Sequence, residues 1–402
     1  MGINRQLIFL LIQVFFVGLT LGMTRTVMPI IAEKDFSISK NSFLFINALI
    51  IAFGLVKAIL NLKAGQWSEH LGRKKILIFG WLIALPIPLI IYWAKSWYWL
   101  IFAMGLLGAN QGMTWSMTQT AKLDQIKANQ KGLVMGFNEF AGYIGMALAG
   151  IWTADLSQIY GNRQALLYFG LIVIHLALWM SIMVIKESKP SNLSSSSHHL
   201  KIILPKILQN PSLLSVIQAG LVEKFVDALI WIVLPTYLLD QGLEISSMSR
   251  IVGLYGIVWG ITQLGTGYLS DLIGRKWPIT IGMSICTIGV WMILSFHGES
   301  WWSFCAVLIG FGMALLYPTL SASVSDMTSP QDRGAMIGAY RFFRDLGLAI
   351  AGVIFAILMH TTQQIEIAFW GTISVMMIST LHLCFYYKDG DGHKHKDGVR
   401  QG

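Results

Sequence analysis

Twelve apolar stretches, each roughly as long as a helix that crosses about 30 Å of hydrocarbon, succeed one another along this chain with only short polar breaks between them. They fall near residues 7–31, 43–63, 75–94, 97–119, 132–154 and 165–185, then 213–239, 249–269, 278–296, 301–323, 334–358 and 365–387. No sustained alternation of polar and apolar residues runs through them, which argues against a membrane β-barrel. Only 12% of the residues are charged, about half the share of a soluble domain. The expectation is an all-α integral membrane protein of twelve transmembrane helices. The first stretch is too long for a signal-peptide core and has no small-residue cleavage site behind it, so it reads as a retained span. Cys286, Cys305 and Cys384 lie in apolar blocks without paired spacing and read as packing residues.

The net charge of +9 is a matter of placement. Arg5, Arg73, Lys74, Lys75, Lys122, Lys127, Lys131, Lys186, Arg275, Lys276, Arg333 and Lys388 fall on one side of the alternating spans. The other side holds Lys34, Lys40, Lys95, Arg163 and Arg250. The richer side is expected to be cytoplasmic, with both termini on it. The basic excess then marks topology in a multi-pass cell-membrane protein and calls for no nucleic acid. The domain reading is a six-helix bundle over 1–185, a cytoplasmic linker over 186–211, a second bundle over 212–387 and a tail over 388–402. The linker carries a serine run and then a short basic, apolar segment suited to the membrane surface.

The second half repeats the first. Gly65-Gln-Trp-Ser-Glu69-His-Leu-Gly72-Arg73-Lys74 returns as Gly267-Tyr-Leu-Ser-Asp271-Leu-Ile-Gly274-Arg275-Lys276, an offset of 202 residues. The same offset carries Gly54 onto Gly256, Gly108 onto Gly310, Asp124 onto Asp326, and Gly145 onto Gly347. Two parallel copies of a six-span unit imply two bundles related by a pseudo-two-fold axis along the membrane normal.

On these residues the chain resembles the major facilitator superfamily, whose loops between spans 2 and 3 and between spans 8 and 9 carry G-x-x-x-D-[RK]-x-G-[RK]-[RK]. Glu69 replaces the usual Asp, and His70 and Leu272 replace bases. The resemblance implies alternating access, with Gly65, Glu69, Gly72, Arg73 and Asp124, and Gly267, Asp271, Gly274, Arg275 and Asp326, forming cytoplasmic gating hairpins. Gly65 and Gly267 would admit a neighbouring helix closely. Glu69 and Asp271 would sit against a helix N-terminus of the opposite half, and Arg73 and Arg275 would pair with Asp124 and Asp326. The drug exporters of the family carry an arginine in span 4 and a Gly-Pro pair late in span 5. Gly108 and Ala149-Gly150 stand here instead, which lowers that reading.

Charges within the spans are costly, about 2.5–3.5 kcal/mol each on insertion scales, and so ask for a reason. Arg25, Lys57, Glu139, Glu223, Lys224, Asp227, Arg341, Arg344 and Asp345 fall in spans 1, 2, 5, 7 and 11, and none in spans 3, 6, 9 or 12. The resemblance places those four spans against lipid. Glu223 and Asp227 share a helical face and read as acids of raised proton affinity; the alternative is that they neutralise Lys224, Arg341 or Arg344. Gln111, Trp115 and Gln119 line one face of span 4, with Tyr317 the repeat partner of Trp115. They suit either the wall of a cavity for a small polar solute or helix-to-helix hydrogen bonding. The expectation is a monomeric secondary transporter, proton-coupled, of a small polar solute with an anionic one favoured. Drug efflux is the alternative and a non-transporting sensor the second. No phosphate loop, metal-ligand cluster or nucleophile elbow supports an enzyme or a cofactor.

Overall fold

The computed structural model describes residues 5–36, 43–123, 125, 131–188, 200–328 and 333–389. The first half holds α1 (Arg5–Phe36), α2 (Phe43–Leu71), α3 (Arg73–Ala84), α4 (Pro86–Trp93), α5 (Trp97–Leu123), α6 (Lys131–Tyr160) and α7 (Asn162–Met183). The short α8 (Leu200–Gln209) leads to the second half. That half runs α9 (Pro211–Ala228), a π-helical turn (Leu229–Val233), α10 (Leu234–Asp240), α11 (Ile245–Ile273), α12 (Lys276–Ser295), α13 (Glu299–Asp326), α14 (Arg333–Thr362) and α15 (Glu366–Tyr386). Among the described residues there is no strand, and eight helical segments are long and apolar enough to cross a membrane.

Two of the breaks have local causes. Pro86 has no N–H to continue the ladder, so α3 ends at Ala84 and α4 carries the same span onward. Pro235 likewise follows the π turn that joins α9 to α10, an insertion of the kind that often marks a working site. With these joined, the order is consistent with six spans per half, arranged as an all-α membrane protein of two six-helix bundles.

Small residues set the packing within each half, and the repeat preserves it. A Cβ on Gly145 would stand 2.5 Å from the Phe15 carbonyl oxygen of α1, and one on its partner Gly347 would stand 2.2 Å from that of Leu221 in α9. Gly108 and Gly310 show the same pairing, at 2.4 Å from Phe53 O and 2.6 Å from Tyr255 O. Backbones that approach this closely compensate in dispersion for what the hydrophobic effect cannot supply in lipid. The glycines expected to do this at the hairpins do not. Gly65 has nothing within 4 Å of its would-be Cβ, and Gly267 meets only Pro318 at 3.6 Å. Large apolar side chains stand exposed along α3, α7, α12 and α15, among them Phe79, Ile172, Ile288 and Ile378, which gives those helices a face suited to lipid.

The halves meet along two seams, α2 with α14 and α6 with α11. On the first, Asn47 reaches Met359 at 3.9 Å, and Cβ atoms on Gly352 and Gly54 would fall 3.3 Å from Ile50 Cβ and 3.1 Å from Leu348 Cβ. Toward the hairpins the contact ends, because Gly65 and Gly338 face open space. On the second seam Gly253 meets Ile151, Gly256 meets Ala147 and Gly260 meets Ile144, and nearer the hairpins a Cβ on Gly136 would still lie 3.7 Å from the Leu264 side chain. The two halves are thus packed together on the far face and, along the α2–α14 seam, part toward the hairpin face.

Candidate functional site

A cavity lies between the halves, lined by side chains from α1, α2, α5, α6, α9, α13 and α14. Eight charged groups stand in or against it: Lys57, Glu139, Glu223, Lys224, Asp227, Arg341, Arg344 and Asp345. Six of them neutralise one another. Arg344 Nε donates to Glu223, which is completely buried. Lys224 lies 2.5 Å from Asp227 Oδ2. Lys57 crosses from the first half to meet Asp345 at 3.1 Å, and Asn61 donates to the other oxygen of the same carboxylate. The pairing of Glu223 and Asp227 differs from two acids poised to take up protons. Each faces a cation from its own half, and Asp227 also accepts from Trp231 Nε1 at 3.1 Å and the Tyr255 hydroxyl at 2.9 Å.

Two charges remain. Glu139 is 2% exposed. Its Oε1 accepts from Trp115 Nε1 at 3.2 Å, Gln119 at 3.4 Å and Asn138 at 2.8 Å, all neutral donors. Its Oε2 has no partner. Arg341 lines the same cavity, and no ion pair or hydrogen bond reaches it among the described residues. These two residues are 202 apart and so occupy one position of the repeat, on opposite halves.

Aromatic rings close the space between them. Trp115 meets Tyr143 edge-on at 5.8 Å, Tyr143 lies 3.8 Å from Trp259 across the α6–α11 seam, and Tyr317 stands 6.5 Å from Tyr143. The Arg344 guanidinium sits 3.9 Å above the Tyr317 ring. The offset of 202 also carries Lys57 onto Trp259 and Tyr143 onto Asp345. The ion pair on one seam and the ring stack on the other are therefore the same contact in two chemistries. Asn61, Ser116, Tyr143 and Trp259 were not among the residues expected at the site, although the repeat offset, applied to Lys57 and Asp345, points to two of them.

Other expected residues lie elsewhere. Gln111 is buried against α1, donating to Val17 O at 2.9 Å, and does not line the cavity. The amide answers a neighbouring backbone carbonyl, the helix-bonding alternative. The side chain of Arg25 lies outside the described set, as do those of Glu69 and Asp124. Lys122, assigned to a loop, is fully buried at the end of α5 and donates to Leu10 O at 3.2 Å.

On the hairpin face the repeat is followed almost atom for atom. Glu187 accepts from the backbone N–H groups of Arg73 and Lys74 at 2.7 and 3.2 Å, and Asp389 from those of Arg275 and Lys276 at 3.0 Å each. A carboxylate at a helix N-terminus meets unsatisfied N–H groups and the positive end of the dipole. Arg73 and Arg275 each donate to a serine of the hairpin, Ser68 and Ser270. Arg275 also pairs with Asp326 at 2.9 Å and Asp271 at 2.7 Å. Burial works against its charge, but the two carboxylates more than offset this and raise its proton affinity above that of an ordinary guanidinium. Asp271 is 56% exposed at its side chain and bound to its own hairpin, so in this conformation it does not sit at a helix end of the opposite half. Gly72 and Gly274 have φ of 90° and 86°. With ψ near 160–170° this is backbone that only glycine adopts readily. Gly274→Ala is expected to lower stability by about 1–3 kcal/mol, read as a lower thermal midpoint of the detergent-solubilised protein. An unchanged midpoint would remove the backbone role.

Two repeated bundles about a charged central cavity define a polytopic membrane transporter scaffold. Comparison with known proteins agrees. The family model for the Major Facilitator Superfamily matches residues 10–223 and again 216–402, and the chain belongs to that family. It is 21% identical to the class E tetracycline resistance protein of Escherichia coli, over 90% of this chain and 89% of that one. It is 25% identical to a probable 4-methylmuconolactone transporter of Cupriavidus pinatubonensis over 80% of each. The fold matches a solved nucleoside transporter, NupG, with a TM-score of 0.77 at 12% identity, covering 95% of this chain and 100% of that one. The protein is a membrane transporter and not an enzyme.

Proposed function

We propose that the protein is a proton-coupled secondary transporter that carries a small polar solute bearing an anionic group by alternating access, with the hairpin face toward the cytoplasm. The observation that carries this reading is the residual charge in the cavity. After the three ion pairs are formed, Arg341 is left to receive an anion, and Glu139 is left as the acid with a free oxygen and, among the described residues, no cation in contact with it, the buried Lys122 acting on it only at longer range. A guanidinium offers a two-pronged donor set that fits carboxylate or phosphate. A buried carboxylate without an ion-pair partner lacks the counter-charge that ties up the acids beside it. Closure on the far face and separation on the hairpin face describe one of the two states that alternating access requires.

Glu139→Gln removes the titratable group and keeps its shape. In proteoliposomes this variant is expected to lose solute accumulation driven by a pH gradient while keeping solute exchange when solute is saturating on both sides. Accumulation at the unsubstituted rate would sink the assignment of Glu139.

The tetracycline resistance protein, matched over most of its length, favours a second reading, efflux of a larger, partly apolar drug. A small apolar chamber adjoins the polar cavity on the far-face side and shares Leu21, Phe53, Asp227 and Leu348 with it. Growth of a drug-sensitive host expressing the protein, against a panel of antibiotics, separates the two: efflux predicts resistance and the proposed reading none.

A further inference from the structure

We infer that the cargo carries two opposite charges at the two ends of a flat, unsaturated body, an anionic group held by Arg341 and an ammonium held by Glu139. This rests on the cavity assigned above and adds a demand that a simple anion does not meet.

The argument begins with the count of charges. With Lys57–Asp345, Lys224–Asp227 and Arg344–Glu223 each closed, the described residues of the cavity present one free positive and one free negative group. A cargo with a single charge satisfies one and leaves the other buried and unpaired, which disfavours its binding. A zwitterion satisfies both, and neither transport step then moves net charge into the site.

The surroundings of the two ends differ in the same sense. Glu139 is flanked by Trp115, whose ring N–H donates to it, and by Tyr143 edge-on to that tryptophan. A carboxylate without a cation of its own, in an aromatic-lined space, can receive an ammonium through charge. Glu139 Oε2 has no donor, and an ammonium supplies one. Around Arg341 stand Arg344 and Tyr317, which favour an anion. Because Glu139 and Arg341 occupy equivalent positions of the repeat, the pseudo-two-fold axis runs between them. They approach the cargo from opposite halves, with the rings of Trp115, Tyr143 and Tyr317 as walls. A rigid cargo with charges at opposite ends fits this better than one with both on a single carbon. Holding one charge on each half also gives the cargo a means of drawing the two bundles together.

The test uses purified, detergent-solubilised full-length protein and quenching of its intrinsic tryptophan fluorescence. Four probes are compared: 4-(aminomethyl)benzoate, which carries both charges across a ring; 4-methylbenzoate and 4-methylbenzylamine, each lacking one; and L-phenylalanine, with both charges on one carbon. The inference expects saturable quenching that is at least tenfold tighter for 4-(aminomethyl)benzoate than for the other three. Arg341→Gln is expected to weaken 4-(aminomethyl)benzoate and 4-methylbenzoate at least tenfold and leave 4-methylbenzylamine unchanged. Glu139→Gln is expected to do the converse. Thermal midpoints of the unliganded variants establish that both are folded, and Arg341→Lys, which keeps the charge, is expected to recover part of the loss. If 4-methylbenzoate binds as tightly as the zwitterion and ignores Glu139→Gln, the cargo is a plain anion and the inference falls while the transporter reading stands. If none of the probes binds, the inference also falls. Loss of pH-driven accumulation on Glu139→Gln remains a separate test of the carrier itself.

Discussion

Arg344→Ala is expected to destabilise the protein by about 3–5 kcal/mol, the cost of breaking a buried ion pair from one side. The magnitude follows from what the change leaves behind. Glu223 is completely buried, and its nearest remaining cation, Lys224, lies 3.9 Å away and already holds Asp227 at 2.5 Å. The guanidinium also covers the face of Tyr317 at 3.9 Å, so its loss opens packing as well as charge. Glu223→Gln strands the arginine in the same way, and its own cost is expected to be similar in sign and smaller, because Arg344 keeps the ring beneath it. Removing both charges in Glu223→Leu with Arg344→Met is expected to restore most of the stability, since an apolar pair of similar volume is often neutral or stabilising. Thermal and denaturant unfolding in detergent, with transport measured on the same preparations, distinguish the roles. A double variant that is stable yet inactive places the pair in the transport cycle. One that is stable and active makes it a structural tie. A single Arg344→Ala variant as stable as the parent would contradict the burial of Glu223.

How far such assignments can be read from the chain depends on the kind of interaction. Spans and duplication follow from local composition and a fixed offset, so Arg275 meeting Asp326 could be anticipated from Arg73 and Asp124 alone. The offset even relates Glu187 to Asp389 at the ends of the sixth and twelfth spans. Neither acid looks different from any other loop carboxylate until it is seen capping α3 and α12. Partners of the intramembrane charges were less legible. Glu223 and Asp227 are four apart and share a face, but which cation each meets depends on the rotational phase of α14 and on the rotamer of Lys224, and residue spacing encodes neither. Tyr143 and Trp259 did not stand out in the sequence, since nothing local says that α6 and α11 turn these residues toward each other. Gln111 illustrates the reverse error. A polar residue on a cavity-forming helix was expected at the cavity, yet a backbone carbonyl of α1 lay closer.

Tying the α2–α14 seam shut on the far face is expected to abolish transport completely and reversibly. In a background with Cys286, Cys305 and Cys384 changed to serine, Ile50→Cys and Gly352→Cys place two thiols where Ile50 Cβ and the Gly352 Cβ position are 3.3 Å apart. This is close to the range of about 3.5–4.5 Å seen across disulfides. The contact belongs to the conformation in which the far face is closed and the hairpin face open. Alternating access requires the opposite conformation, in which this seam separates, so a covalent tie across it traps one half of the cycle. Solute flux in both directions should fall to the level of empty liposomes on oxidation and return on reduction, while binding from the hairpin face survives. The ion pair on the same seam gives an independent reading of the same motion. Lys57 and Asp345 join the halves at 3.1 Å, and Asp345→Asn weakens that tie without closing anything. It should shift the population toward the state open on the far face, seen as faster labelling of a single cysteine placed at Ile50. Flux that persists through the oxidised Ile50–Gly352 link would mean that the two bundles do not separate along this seam, and the rocking of one half against the other would have to be replaced by movement within a half.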